Sequence, residues 1–164
     1  MKPGKKIRRT RSSGFTLIEL LVVVAILGIL ASVAVVATRE SILKAKVSAA
    51  AGDLRTFKSG FINYTSDHGQ FPPDSHLDAP YHLASGSGAE HYIPVDRWVS
   101  ETVLGGNYNW EGPDSYPYAG VSVFKPTASA AVFAQLDATL DDGDVGTGRF
   151  RLGENGRYTY IIDE

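Results

Sequence analysis

The 164-residue chain carries sixteen Lys and Arg against eighteen Asp and Glu, is 43% apolar and has no cysteine. That length leaves room for one modest core beyond any anchor, and the absence of thiols excludes both a disulfide framework and a cysteine nucleophile. Six of the basic residues (Lys2, Lys5, Lys6, Arg8, Arg9 and Arg11) stand in residues 1–14 with no acid among them; the remaining ten bases against eighteen acids give residues 15–164 a net charge of -8, so no nucleic-acid partner is expected.

The first element follows this basic leader. From Phe15 to Ala37 run twenty-three residues whose one charged member is Glu19, long enough at about 1.5 Å per residue to cross a roughly 30 Å hydrocarbon layer. The positive-inside tendency holds residues 1–14 in the cytoplasm and sends everything beyond Ala37 across the membrane. An unpaired carboxylate in such a segment costs about 3 kcal/mol or more, so Glu19 demands a partner that becomes available once the helix leaves free lipid. A secretory signal peptide shares the basic start and small residues such as Ala31-Ser32-Val33-Ala34, but its apolar stretch is usually about 7 to 15 residues and takes no acid in its first turn. An ordinary single-span anchor accounts for the length and gives no reason for Gly14 before Phe15 or for Glu19.

Gly14 followed by Phe15-Thr16-Leu17-Ile18-Glu19-Leu20-Leu21, a pattern that extends through Gly28 and Ile29-Leu30-Ala31, resembles the class III signal of type IV pilins and type II secretion pseudopilins. The resemblance implies a prepilin. A prepilin peptidase would cut between Gly14 and Phe15 and methylate the new N-terminus of Phe15. It also implies a structural filament subunit and no enzyme, held in a bacterial inner membrane with its C-terminal domain in the periplasm. Such a subunit polymerises with its own copies and other pseudopilins on an inner-membrane assembly platform, and Glu19 meets the charged Phe15 amine of a neighbour. Type II secretion is the expected setting. The alternative is a minor or tip subunit, or a membrane-anchored binding module, of a pilus or DNA-uptake apparatus. Many relatives carry a proline where this chain has Val36, so the helix is expected to stay continuous. Gly28 is either a close-packing site for assembly or a glycine tolerated in lipid. The lack of cysteine departs from many type IV pilins and points toward the calcium-dependent major pseudopilins.

Residues 38–66 continue the helix with a different face. Leu43, Val47, Ala50, Leu54, Phe57, Phe61 and Tyr64 recur at spacings of four and three, the signature of an amphipathic helix laid on a core. Asp67-His68-Gly69 and Pro72-Pro73 supply the stop. Residues 67–164 form the extracytoplasmic β-rich domain, giving an α+β fold: a long helix on a small antiparallel sheet. The 72–80 and 86–88 stretches read as loop, and Gly105-Gly106-Asn107 as a turn. Strands are expected at Tyr108-Asn109-Trp110, at Tyr118 to Phe124, at Gly148 to Leu152 and at Arg157 to Ile162, the last two joined as a hairpin by Glu154-Asn155-Gly156. Ala130 to Ala134 is either strand or short helix.

Asp141-Asp142-Gly143-Asp144, followed by Val145-Gly146-Thr147-Gly148, offers hard oxygen donors of the kind Ca²⁺ selects, on a glycine-rich turn. It is either a calcium site or a solvated surface loop, and it lacks the closing glutamate of an EF-hand. His68, His76, His82 and His91 have no helical zinc spacing, and no HExxH, GxSxG or Walker pattern occurs. Tyr108, Trp110, Tyr116 and Tyr118 are either a surface for cargo or part of the core and its rim.

Overall fold

The computed structural model describes residues 14–74, 83, 87–153 and 156–164. The basic leader, His76, His82, the 75–82 stretch of the loop, and Glu154-Asn155 of the expected hairpin turn lie outside the described residues. The chain divides into two compact units, Met1–Glu40 and Ser41–Glu164.

Helix α1 runs Leu17–His68. In the first unit its side chains from Leu17 to Val35 are all exposed, Leu17, Ile18, Leu21 and Ile29 by two thirds or more. This stretch is long and apolar enough to cross a membrane.

In the second unit the helix is one-sided. Val47, Ala50, Leu54, Phe57, Phe61 and Tyr64 are buried, as the spacing predicts, and Ala51 joins them while Leu43 is half-buried at the margin. The helix passes the expected stop near Ser66 by two residues. Gly69 then takes φ +74°, and its N–H caps the Thr65 carbonyl at 2.8 Å, a left-handed termination that glycine adopts without a Cβ penalty.

The buried stripe packs on an antiparallel sheet of four strands: β1 Asn107–Glu111, β2 Ala119–Phe124, β3 Phe150–Leu152 and β4 Tyr158–Asp163, in the order β1-β2-β4-β3. Trp110 faces Val121 across β1 and β2, and Phe150 faces Tyr160 in the expected hairpin. Phe61 stacks on Trp110 with ring centroids 3.9 Å apart, and Phe57 meets Tyr108 edge-on at 4.8 Å. A one-turn helix, α2 Val95–Trp98, inserts Trp98 against Phe57 and Phe61. Gly60 permits the Tyr92-Ile93 segment ahead of α2 to lie close on α1, since a methyl there would lie 2.5 Å from the Tyr92 carbonyl oxygen.

The segment left open between strand and helix is a helix, α3 Ala130–Leu140, and it extends six residues past the expected stretch. Its Phe133 and Leu136 are fully buried, with Phe133 stacked on Tyr158 at 3.8 Å. The aromatic group divides: Tyr108 and Trp110 are core residues at 1% and 0% exposure, so they form no surface, while Tyr116 and Tyr118 are half-buried at its rim. Both faces of β1 are covered, so Asn109 and Glu111, which alternation places on a solvent face, are buried along with the aromatics.

Candidate functional site

The start of α1 is built from four residues. Thr16 stands just before the first helical residue and donates its backbone N–H and its hydroxyl to Glu19 Oε2, at 2.9 and 2.7 Å, while the Glu19 N–H reaches back to Thr16 Oγ1 at 3.3 Å. This is a capping box, in which a threonine and a glutamate three residues on satisfy donors that the helix start leaves orphaned. The Thr-x-x-Glu spacing of Thr16 and Glu19 is its signature in the sequence. Gly14 and Phe15 lie just ahead, exposed, and a methyl at Gly14 or Gly28 would meet nothing within 4 Å.

The acidic loop begins on α3. Asp137 follows Phe133 by one helical turn, so its side chain falls on the buried face, where it is 0% exposed. Neither carboxylate oxygen meets a hydrogen-bond donor among the described residues. Burial first, then the charges of Asp142, Asp141 and Asp144, push its pKa up to about 6. Oxygens of Asp137, Asp141 and Asp142 lie within 4.8 Å of one another, close to twice the Ca²⁺–oxygen distance of about 2.3–2.6 Å. Asp144, expected among the ligands, is not part of this 4.8 Å group: its Oδ1 accepts the Gly146 N–H at 2.9 Å, and its own N–H donates to Asp142 Oδ1 at 2.9 Å. Asp142 Oδ2 also accepts the Thr147 hydroxyl at 2.9 Å, and Asp141 Oδ2 accepts the Arg149 N–H. These bonds hold Asp142 below the usual carboxylate range. Gly148, at φ +69°, leaves the space that Asp141 occupies. A buried acid with no donor, facing two others at this spacing, suits a hard cation.

A third polar group sits under β2 and β4. Glu111 is 1% exposed and accepts from Arg157 Nη1 at 3.3 Å on Oε1, and from Tyr118 and Thr159 at 2.9 and 3.0 Å on Oε2. The sequence gives no hint of this long-range pair. Of the histidines, His68 stacks on Tyr64 at 4.1 Å and His91 lies in a single 3-10 turn, Ala89–His91.

A long apolar helix with an acid in its first turn, continuing into a second unit of helix on antiparallel sheet, defines the class of prepilin-like subunits. The family comparisons agree. Residues 9–35 match the prokaryotic N-terminal methylation motif, and residues 41–122 match the PilW C-terminal family. The chain is 35% identical to the type II secretion system core protein G of Pseudomonas aeruginosa over 101 residues, 56% of this chain and 71% of that one. It is 44% identical to the type IV major pilin protein PilE of Neisseria gonorrhoeae over 66 residues, 40% of each chain. A fimbrial protein of Neisseria meningitidis is 42% identical over 66 residues, 40% of this chain and 39% of that one. This chain belongs to the type IV pilin and type II secretion pseudopilin family.

Proposed function

We propose that the chain is a type II secretion pseudopilin, made as an inner-membrane precursor with its C-terminal domain in the periplasm, cut by prepilin peptidase between Gly14 and Phe15, and N-methylated at Phe15. Subunits then leave lipid for a helical filament through α1, on an assembly platform and together with other pseudopilins. One observation carries this reading: the apolar residues of α1 from Leu17 to Val35 are uncovered, and among the described residues the single carboxylate in that stretch is held by Thr16 alone. Lipid already solvates the apolar face, so assembly must gain from tight helix contacts, with Gly28 as a close-approach point, and from a better partner for Glu19. The free amine of a neighbour's Phe15 is that partner, and it exists only after cleavage. No enzymatic role is proposed, in keeping with relatives named as pilins and a secretion-system core protein.

Asp137, Asp141 and Asp142 would hold Ca²⁺. The ion would supply positive charge that cancels the buried acid and ties the end of α3 to the loop leading into β3. Asp144 supports the loop through Gly146 and Asp142.

The test is genetic. In a host lacking prepilin peptidase, the chain should stay membrane-bound with its leader attached and form no filaments; filaments from the uncut chain would overturn the reading. A second reading, a low-copy tip subunit or an anchored binding module, is favoured by the tyrosine-lined cleft beside Glu111, which a filament shaft does not need.

A further inference from the structure

Tyr116 and Tyr118 line a cleft of about 550 Å³ together with Glu111, Ser115, Pro117 and Arg151. We propose that this cleft binds a neutral sugar ring, a pyranose unit of an oligosaccharide. Its volume lies in the range of small-molecule sites.

The charges are settled internally. Glu111 is matched by Arg157, and at the lip Arg151 pairs with Glu164. An anion would meet Glu111 and Glu164, and a cation would meet Arg151 and Arg157, so the site rewards neither. What remains is a set of directed polar groups beside apolar surface. Arg157 Nη1 donates to the Tyr116 oxygen at 2.9 Å, which leaves the Tyr116 proton to point elsewhere. Burial raises the Tyr116 and Tyr118 pKa values, so both hydroxyls stay protonated at neutral pH. Ser115 adds an exposed hydroxyl, and Pro117 and the half-exposed Leu152 supply apolar walls.

A pyranose presents the complementary pattern: C–H faces that lie on apolar surface and a rim of hydroxyls that each donate and accept. A wholly apolar ligand would strip water from these polar groups and return no hydrogen bonds. The cleft is also preorganised. The two tyrosine rings stack at 5.7 Å and 26°, and their hydroxyls are fixed on the Glu111–Arg157 pair, so binding freezes few rotors.

The test uses the full chain in a zwitterionic, sugar-free micelle, titrated by saturation-transfer NMR and calorimetry with maltose, cellobiose and N,N′-diacetylchitobiose. Inorganic phosphate and a proline-rich peptide serve as competing arms. At least one disaccharide should bind with Kd on the order of 1 mM. Ser115→Trp, a bulky change at the exposed lip, should abolish that binding with an unshifted melting temperature, and Tyr116→Phe, which also removes the acceptor of an Arg157 hydrogen bond, should weaken it about fivefold. Saturation by no disaccharide below about 20 mM, binding that survives Ser115→Trp, or titration by phosphate or peptide alone would each overturn the proposal.

Discussion

Thr16 and Glu19 close on each other across the first turn of α1, with two donors of the threonine converging on one carboxylate oxygen at 2.9 and 2.7 Å. The acid is thus tolerated in a lone subunit because its own helix start partly neutralises it, and it stays available because the arrangement is local and exposed. A cap of this kind contributes about 0.5–2 kcal/mol to its helix. Thr16→Val should leave insertion intact and speed amide exchange in the first turn of α1 by roughly threefold to thirtyfold. Hydrogen exchange on the full chain in micelles measures this, and unchanged protection at Leu20 would contradict it.

Calcium should stabilise the second unit through Asp137. At a hundred times its dissociation constant the ion contributes about 2.7 kcal/mol, or roughly 10 °C in melting temperature for a domain of this size. Asp137→Asn should remove most of that rise and also raise the calcium-free melting temperature, because a buried acid with no donor is deleted. Asp144→Ala should retain more of the calcium response than Asp142→Ala. Scanning calorimetry with and without chelator decides; equal responses in all three variants would remove Asp137 from the ligand set.

Two glycines on α1 should respond oppositely to the same change. Gly60→Ala drives a methyl to 2.5 Å from the Tyr92 carbonyl and 2.6 Å from Ile93, which should cost about 1–3 kcal/mol despite the better helix former. Gly52→Ala meets nothing within 4 Å and should stabilise by about 1 kcal/mol. Denaturant melts of both variants provide the comparison, and a shared sign would refute the packing of α1 on the Tyr92-Ile93 segment.

The Glu111–Arg157 pair, with side chains 1% and 13% exposed, should be expensive to halve. Arg157→Met leaves a buried carboxylate without its cation and should destabilise by about 3–5 kcal/mol, whereas adding Glu111→Gln to it should recover part of the loss. A double-mutant cycle on thermal stability reads the coupling, and additive losses would deny it.

The α1 stripe is legible in the sequence because helical period and burial coincide from Val47 to Tyr64. The hairpin of β3 and β4 is equally plain from local alternation. Asp137 escapes because an acid five residues before a turn reads as solvated surface, and only the extension of α3 to Leu140 rotates it inward beneath Phe133 and Leu136. Glu111 and Arg157 stand 46 residues apart, and no local pattern joins them. Tyr108 and Trp110 alternate with Asn109 and Glu111 as in a half-exposed strand, yet Asn109 and Glu111 are buried as well, because β1 is covered on both faces, a property of the tertiary fold.

Replacing Glu19 by Ala in the full chain and comparing membrane fraction with filament yield puts the assembly mechanism to proof. The variant should be inserted and cut after Gly14 as usual, with filaments reduced by at least about tenfold, the factor equivalent to 1.4 kcal/mol per subunit contact. Filaments of normal number and length from Glu19→Ala would show that this lone acid of α1 is not what draws subunits together.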